Sequence, residues 1–341
     1  YGVKAANGVI VITTKRGKLG EPVLRYTTSM SLIARPTTDM MRLMNSKERV
    51  EVSEEIVNRG LQTVSGVPIG TIGYEGLIYQ LWHNEITRSE FDAGVKELKE
   101  MNTDWYKLLF RNSFSHSHTL SLSGATDKVG YYFSFGFSDQ QGASLKESSN
   151  RFNFMSNLDA RLFHDKLNVS LSLSASTTNG SRPYIDLYKY AFETSRSIPA
   201  YNEDGSYLFY NKTEGYETIL NYNILNERDN TGRKIKNQTI DFMVDVNYKI
   251  LSGLTFSGVF SLSKANTKDS EWANEKSYYI TDLRGVNYGD ELPTDRNFVE
   301  TGCRLPYGGE LKNDNTLSST YTVRAGFNYF KRLHETHEID V

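Results

Sequence analysis

The feature that most constrains this chain is a strict two-residue alternation of apolar and polar side chains, repeated segment after segment. Residues 131–138 set Tyr131, Phe133, Phe135 and Phe137 against Tyr132, Ser134, Gly136 and Ser138. Residues 151–162 set Phe152, Phe154, Leu158, Ala160 and Leu162 against Arg151, Asn153, Asn157, Asp159 and Arg161. Stretches 24–32, 167–175, 240–250, 254–263 and 321–329 alternate in the same way. Successive side chains of a strand point to opposite faces, so this pattern predicts strands that are apolar on one face only.

A water-soluble sandwich alternates too, and three features favour a membrane barrel instead. The polar faces carry charges deep inside the strands, at Arg161, Asp245 and Arg324, which suits a wet lumen. Aromatic side chains gather near strand ends at Tyr131, Tyr248, Tyr329 and Phe330, as an interfacial girdle requires. Connections also alternate in length. Short ones fall at 124–128, 164–166, 251–253 and 334–337; long ones span about 35–115, 139–150, 176–238 and 265–314. Barrels of the outer membrane have short periplasmic turns and long extracellular loops. The mean hydropathy of −0.51 is compatible with this, because only alternate residues of each strand must be apolar. No stretch approaches the roughly 18 apolar residues of a membrane helix.

The sequence therefore predicts an all-β, antiparallel transmembrane β-barrel segment of about eight to nine strands. The opening without Met and the end inside a strand at Glu338–Val341 suggest a piece of a longer chain. Within the first long loop, Asn45 is expected to cap a helix from Ser46 to Asn58, with Glu48 completing the capping box and Gly60 ending it. A second helix is expected to begin at Ser89 and to carry Phe91, Val95 and Leu98 on one side.

The later loops are rich in tyrosine and amides, and aromatic faces with polar rims suit sugars and peptides. Candidate ligand or partner contacts are lumen-facing Arg161, Asp245 and Arg324 together with loop aromatics Tyr184, Tyr207 and Trp272. Catalytic chemistry has no support: there is no nucleophile elbow, zinc-protease or nucleotide-binding motif. No cofactor or metal is expected. His116 and His118 have no Cys or acidic neighbour in sequence, Cys303 stands alone, and His334 and His337 flank a turn. With 39 Lys+Arg against 41 Asp+Glu, nucleic acid is not an expected partner, and no polybasic run marks a lipid-docking segment.

Residues 1–18, Tyr-Gly-Val-Lys-Ala-Ala-Asn-Gly-Val-Ile-Val-Ile-Thr-Thr-Lys-Arg-Gly-Lys, closely resemble the end of the plug domain in SusC/RagA-type TonB-linked outer-membrane proteins. Asn102–Trp105, Phe110-Arg111, the hairpin reaching Asp139-Gln140-Gln141-Gly142, and Arg151-Phe152-Asn153 resemble the family's first barrel strands. The resemblance implies a 22-stranded barrel around an N-terminal plug. It divides the chain into a plug end at 1–18 and the N-terminal part of the barrel at 19–341. It further implies the bacterial outer membrane as location, a SusD-like surface lipoprotein and TonB as partners, and oligosaccharide or peptide as cargo. The rival reading is a non-transporting surface protein of adhesin type; a passive porin lacks the plug. What separates a barrel from a soluble β-protein is whether the apolar strand faces form one outward belt or meet in a core.

Overall fold

A computed structural model of the chain describes residues 15–61, 72–213, 219–291, 305–333 and 337–340; within these, side chains are described up to residue 330 except at 212, 213 and 219. The strands are β1 (Gly20–Ile33), β2 (Ser113–Ala125), β3 (Val129–Gln141), β4 (Ser148–Leu162), β5 (Leu167–Arg182), β6 (Tyr210–Thr213), β7 (Ile219–Tyr222), β8 (Thr231–Leu251), β9 (Leu254–Ala273), β10 (Glu310–Leu333) and β11 (His337–Asp340). Nine of them form one antiparallel sheet in the order β1-β2-β3-β4-β5-β8-β9-β10-β11, and β6–β7 is a separate hairpin within a loop. Each strand of the large sheet pairs with the next, the up-and-down order in which a barrel closes without crossovers.

Register shows where the apolar faces go, because residues directly opposite in an antiparallel pair share a face. One row runs Leu24–Leu122–Phe133–Ser156–Leu173–Phe242–Leu262–Tyr321 across eight strands. The neighbouring row runs Tyr131–Leu158–Leu171–Val244–Phe260–Val323. Among the described residues these side chains meet no second layer of protein: Phe135 is 52% exposed, Ile240 54% and Val323 71%. From Tyr248 to Ile240 the apolar stretch of β8 covers eight residue steps. At about 3.4 Å per residue and a tilt near 40°, that is roughly 20 Å of height, close to the ~25 Å apolar band of an outer-membrane barrel. The apolar faces form one outward belt.

The buried core lies in the connections instead. Between β1 and β2 stand α1 (Ser46–Asn58), α2 (Gly73–Trp82), α3 (Arg88–Glu100) and α4 (Trp105–Leu109). Val50, Tyr74, Ile78, Phe91 and Val95 pack α1, α2 and α3 together. The Asn45 capping box forms as expected, with Asn45 Oδ1 accepting from Glu48 N at 2.9 Å. The second expected helix starts one residue earlier, at Arg88, because Thr87 and Glu90 make the box rather than Ser89 and Asp92. Helix α2 was not foreseen: its N-cap Ile72 supplies no side-chain acceptor, so no start signal marks it.

Strand lengths also correct the sequence reading. The 139–150 connection shrinks to residues 142–147. β5, β8, β9 and β10 run into segments expected as loop, reaching Arg182, Thr231, Ala273 and Glu310. Alternation fades there because both faces leave the lipid and become polar, while the ladder continues through pairs such as Ser270↔Asn313.

Candidate functional site: the inner wall and outer rim

The polar face carries Arg161, Asp245 and Arg324, as expected, all toward the short-turn end. A row Asp159–Ser170–Asp245–Val259–Arg324 places Asp245 and Arg324 on one level, two strands apart. Arg161 is one level nearer the turns, opposite Asn168. Asp245 accepts from Asn247 Nδ2 at 2.6 Å rather than pairing with either arginine. Arg161 shares a cleft of about 440 Å³ with Arg16, Asp159, Asn168 and Ser170. The incoming segment is fastened here: Arg16 ion-pairs with Asp159, and Asn157 Nδ2 donates to Lys15 O at 3.0 Å. Gly17 then crosses the β2–β3 turn so closely that a Cβ would lie 2.0 Å from Gly124 O. Residues 1–14, including the remainder of the plug resemblance, lie outside the described residues, as do Cys303, His334 and the side chain of His337.

The loop aromatics divide between two places at the opposite end. Tyr184 and Trp272 line one small cleft of about 150 Å³ with Glu271, Tyr279, Glu310 and Lys312. Tyr184 and Tyr279 rings are 5.8 Å apart, and Tyr279 donates to Glu310 Oε2 at 2.8 Å. That hydrogen bond to a carboxylate pushes the Tyr279 phenol up to about 12, while burial raises Tyr184. Tyr207 stands apart, its ring tilted against that of Tyr201 at 5.8 Å and its hydroxyl donating to Asp229. Burial alone would raise the Asp229 carboxyl, but hydrogen bonds from Arg228 and Tyr207 hold it below the ordinary carboxylate range. Lys146 bridges the two places, 3.8 Å from Asp229 and 5.9 Å above the Trp272 ring.

The Asn102–Arg111 motif is structural. Asp104 caps α4, Thr103 Oγ1 donates to Ile198 O at 2.7 Å, and Trp105 Nε1 donates to Ser195 O at 3.0 Å. Trp105, Tyr106, Leu109 and Phe110 are buried against Leu187, Leu220, Ile224 and Tyr222. The motif thus ties the first long loop to α5 (Leu187–Glu193), β6–β7 and α6 (Ile224–Asn230), forming one cap over the outer end. Arg111 Nη2 reaches Glu147 O at 2.9 Å and locks the β3–β4 turn into the same cap.

Sequence reasoning missed a charged collar on the inner face of that end. Arg182–Arg233–Glu271–Lys312 form one row, with Asp269 and Asp314 in the next. Arg233 pairs with Asp269 and, at 3.2 Å, with Glu271. The signal was present as charges two residues apart at Asp269 and Glu271, in a stretch expected to be loop. His116 and His118 fall on the outward face, with Nδ1 and Nε2 3.2 Å apart, and no cluster of metal-ligand type occurs among the described residues.

No protein-family model matches the sequence. It is 28% identical to the TonB-dependent receptor SusC of Bacteroides thetaiotaomicron over 225 residues, 65% of this chain and 18% of SusC. It is 24% identical to the TonB-dependent receptor P3 of Formosa agariphila over 311 residues, 88% of this chain and 26% of that receptor. Among solved structures, the RagAB peptide importer in its closed-closed state superposes with a TM-score of 0.66 at 18% identity, covering 99% of this chain and 36% of that one. The chain spans about a fifth to a quarter of the length of the curated relatives it matches. The curated relatives that match are TonB-dependent receptors of the bacterial outer membrane, not enzymes, and the chain has the fold of part of the RagAB importer. SusC itself is among those relatives, and the RagAB importer shares the fold.

Proposed function

We propose that this chain supplies the end of the plug (1–18) and the first part of the barrel (19–341) of an importer that takes up a nutrient across the outer membrane. The observation that carries this reading is the sheet's two-sidedness: an outward apolar belt through eight strands, backed by an inner face of Arg, Asp, Ser and Asn. A wall with a wet, charged lining serves passage of a polar solute. A soluble adhesin has no use for an uncovered apolar face of this size. The cargo is an oligosaccharide or a peptide, in keeping with relatives named SusC and the RagAB peptide importer. Its partners are a SusD-like surface lipoprotein seated on the cap and TonB acting from the periplasm. Arg161, Asp245 and Arg324 line the path, whereas Tyr184, Tyr207 and Trp272 belong to the outer rim and serve cargo or lipoprotein contact.

Deleting the full-length receptor and measuring uptake of labelled oligosaccharides and peptides tests the reading. Loss of uptake for one class, restored by the gene but not by a TonB-uncoupled version, is the expected outcome. Unchanged uptake of every class tested, with an intact barrel in the membrane, would overturn it.

A further inference from the structure

The outward face changes character abruptly above the apolar belt. On β8 the outward positions beyond Ile240 are Gln238, Lys236 and Lys234; on β9, beyond Leu262, they are Lys264, Asn266, Lys268 and Ser270. Lys236 stands directly opposite Lys268, and Lys264 opposite Ile240. All four lysines are exposed, and none makes an ion pair among the described residues. Their outward neighbours are neutral: Thr177, Asn179 and Ser181 on β5, and Asn313, Asn315, Leu317 and Ser319 on β10. The nearest outward carboxylate on the upper sheet is Asp139 of β3, which sits 4.0 Å from His116. The acids of this region, Asp269 and Glu271, all point inward, where Arg233 engages them. Sign is therefore segregated by face along β8 and β9, mixed inside and positive outside.

The height of the patch identifies what meets it. Lys264 shares the row of Ile240, the top of the apolar stretch of β8; Lys236 and Lys268 share a row four residue steps beyond it, and Lys234 lies six steps beyond it. At about 3.4 Å per step and a tilt near 40°, Lys264 stands at the edge of the hydrocarbon, Lys236 and Lys268 roughly 10 Å above it and Lys234 roughly 15 Å above it, within and just beyond the headgroup layer. The end concerned carries the long loops, hence the outer leaflet. Snorkelling by a long flexible stem brings each ammonium to the polar boundary. We propose that Lys234, Lys236, Lys264 and Lys268 form a docking site for the phosphate groups of an outer-leaflet glycolipid, fixing lipid to the β8–β9 wall of the receptor.

The test uses the full-length receptor in phosphatidylcholine nanodiscs containing bisphosphorylated lipid A as probe, with retained lipid counted by native mass spectrometry. A lysine beside an anionic surface contributes about fivefold in affinity, so a K234Q/K236Q/K264Q/K268Q variant should lose at least ~10-fold in lipid A retention. The matching Lys→Arg variant should keep it, and dephosphorylated lipid A should bind as poorly to the wild type as lipid A binds to the Gln variant. Retention should also fall between 50 and 500 mM salt, roughly where the Debye length shrinks from over 10 Å to a few ångströms. Exposed Lys→Gln changes leave folding intact, which heat-modifiable migration of the barrel verifies. Equal retention by the Gln variant, or an equal loss from the inward-facing R182Q/R233Q pair, would overturn the proposal. So would a Gln variant that keeps lipid A but loses a co-purifying lipoprotein.

Discussion

Replacing Val323 with Arg is the sharpest check on which face of the sheet meets lipid. Val323 belongs to the outward row Leu171–Val244–Phe260–Val323, two rows above Tyr248–Phe256–Phe327 and two below Ile240–Lys264–Ser319. It therefore lies near the middle of the apolar band. An Arg at the midplane of a barrel's lipid face costs about 2–4 kcal/mol, a factor of roughly 30 to 900 in the folded-to-unfolded ratio. In water the same change would be nearly neutral, within about 0.5 kcal/mol, because Val323 is 71% exposed and no protein packs on it. The neighbouring Thr322→Arg is the internal control. A one-residue step turns the side chain to the inner face, which already holds Arg324, so that variant should stay within about 1 kcal/mol of wild type. The assay is denaturant-dependent folding of the full-length receptor into phospholipid vesicles, read by heat-modifiable migration. A Val323→Arg variant as stable as Thr322→Arg would refute the belt assignment.

Further expectations follow from the cap and from the incoming segment. Trp105→Ala should destabilise the cap by about 3–5 kcal/mol, since the indole is 2% exposed, and limited proteolysis should then cut the loops while the barrel stays heat-modifiable. Asn223 accepts from Leu225 N and Asn226 N and donates to Ala200 O and Leu208 O, so Asn223→Ala should cost about 1–3 kcal/mol, visible as faster amide exchange in α6. Asn223→Asp keeps the two acceptors but sets a carboxylate against two carbonyls, and should exchange faster still. The Asp229 carboxyl is held below its ordinary value, so its contribution is complete above about pH 4 and disappears only as pH falls further. Proteolysis at the Tyr207 segment should thus be flat from pH 7 to 5 and rise below 4, with Asp229→Asn removing the rise. Gly17→Val should displace the crossover and separate Arg16 from Asp159, detected as loss of a disulfide formed between cysteines at those two positions.

Much of this architecture was written in local pattern. Period-two alternation marked the strands within the lipid because each face there has one fixed solvent, hydrocarbon or water, and side chains must comply residue by residue. The Asn45 and Glu48 pair marked α1 because a capping box is a contact between residues three apart. The charges Arg161, Asp245 and Arg324 were placed on the inner face by the same parity. Beyond the lipid both faces meet polar surroundings, selection on parity relaxes, and the upper halves of β8, β9 and β10 vanished into expected loop. Helix α2 was invisible because it has no side-chain cap at its start and is held by packing of Tyr74 and Ile78 against Val50 and Phe91. Only the sheet register could bring Lys234 and Lys236 beside Lys264 and Lys268 while turning Asp269 and Glu271 inward. A net charge near zero and the absence of a basic run concealed that separation, because charge sums along the chain whereas a membrane and a lumen each see one face of the wall.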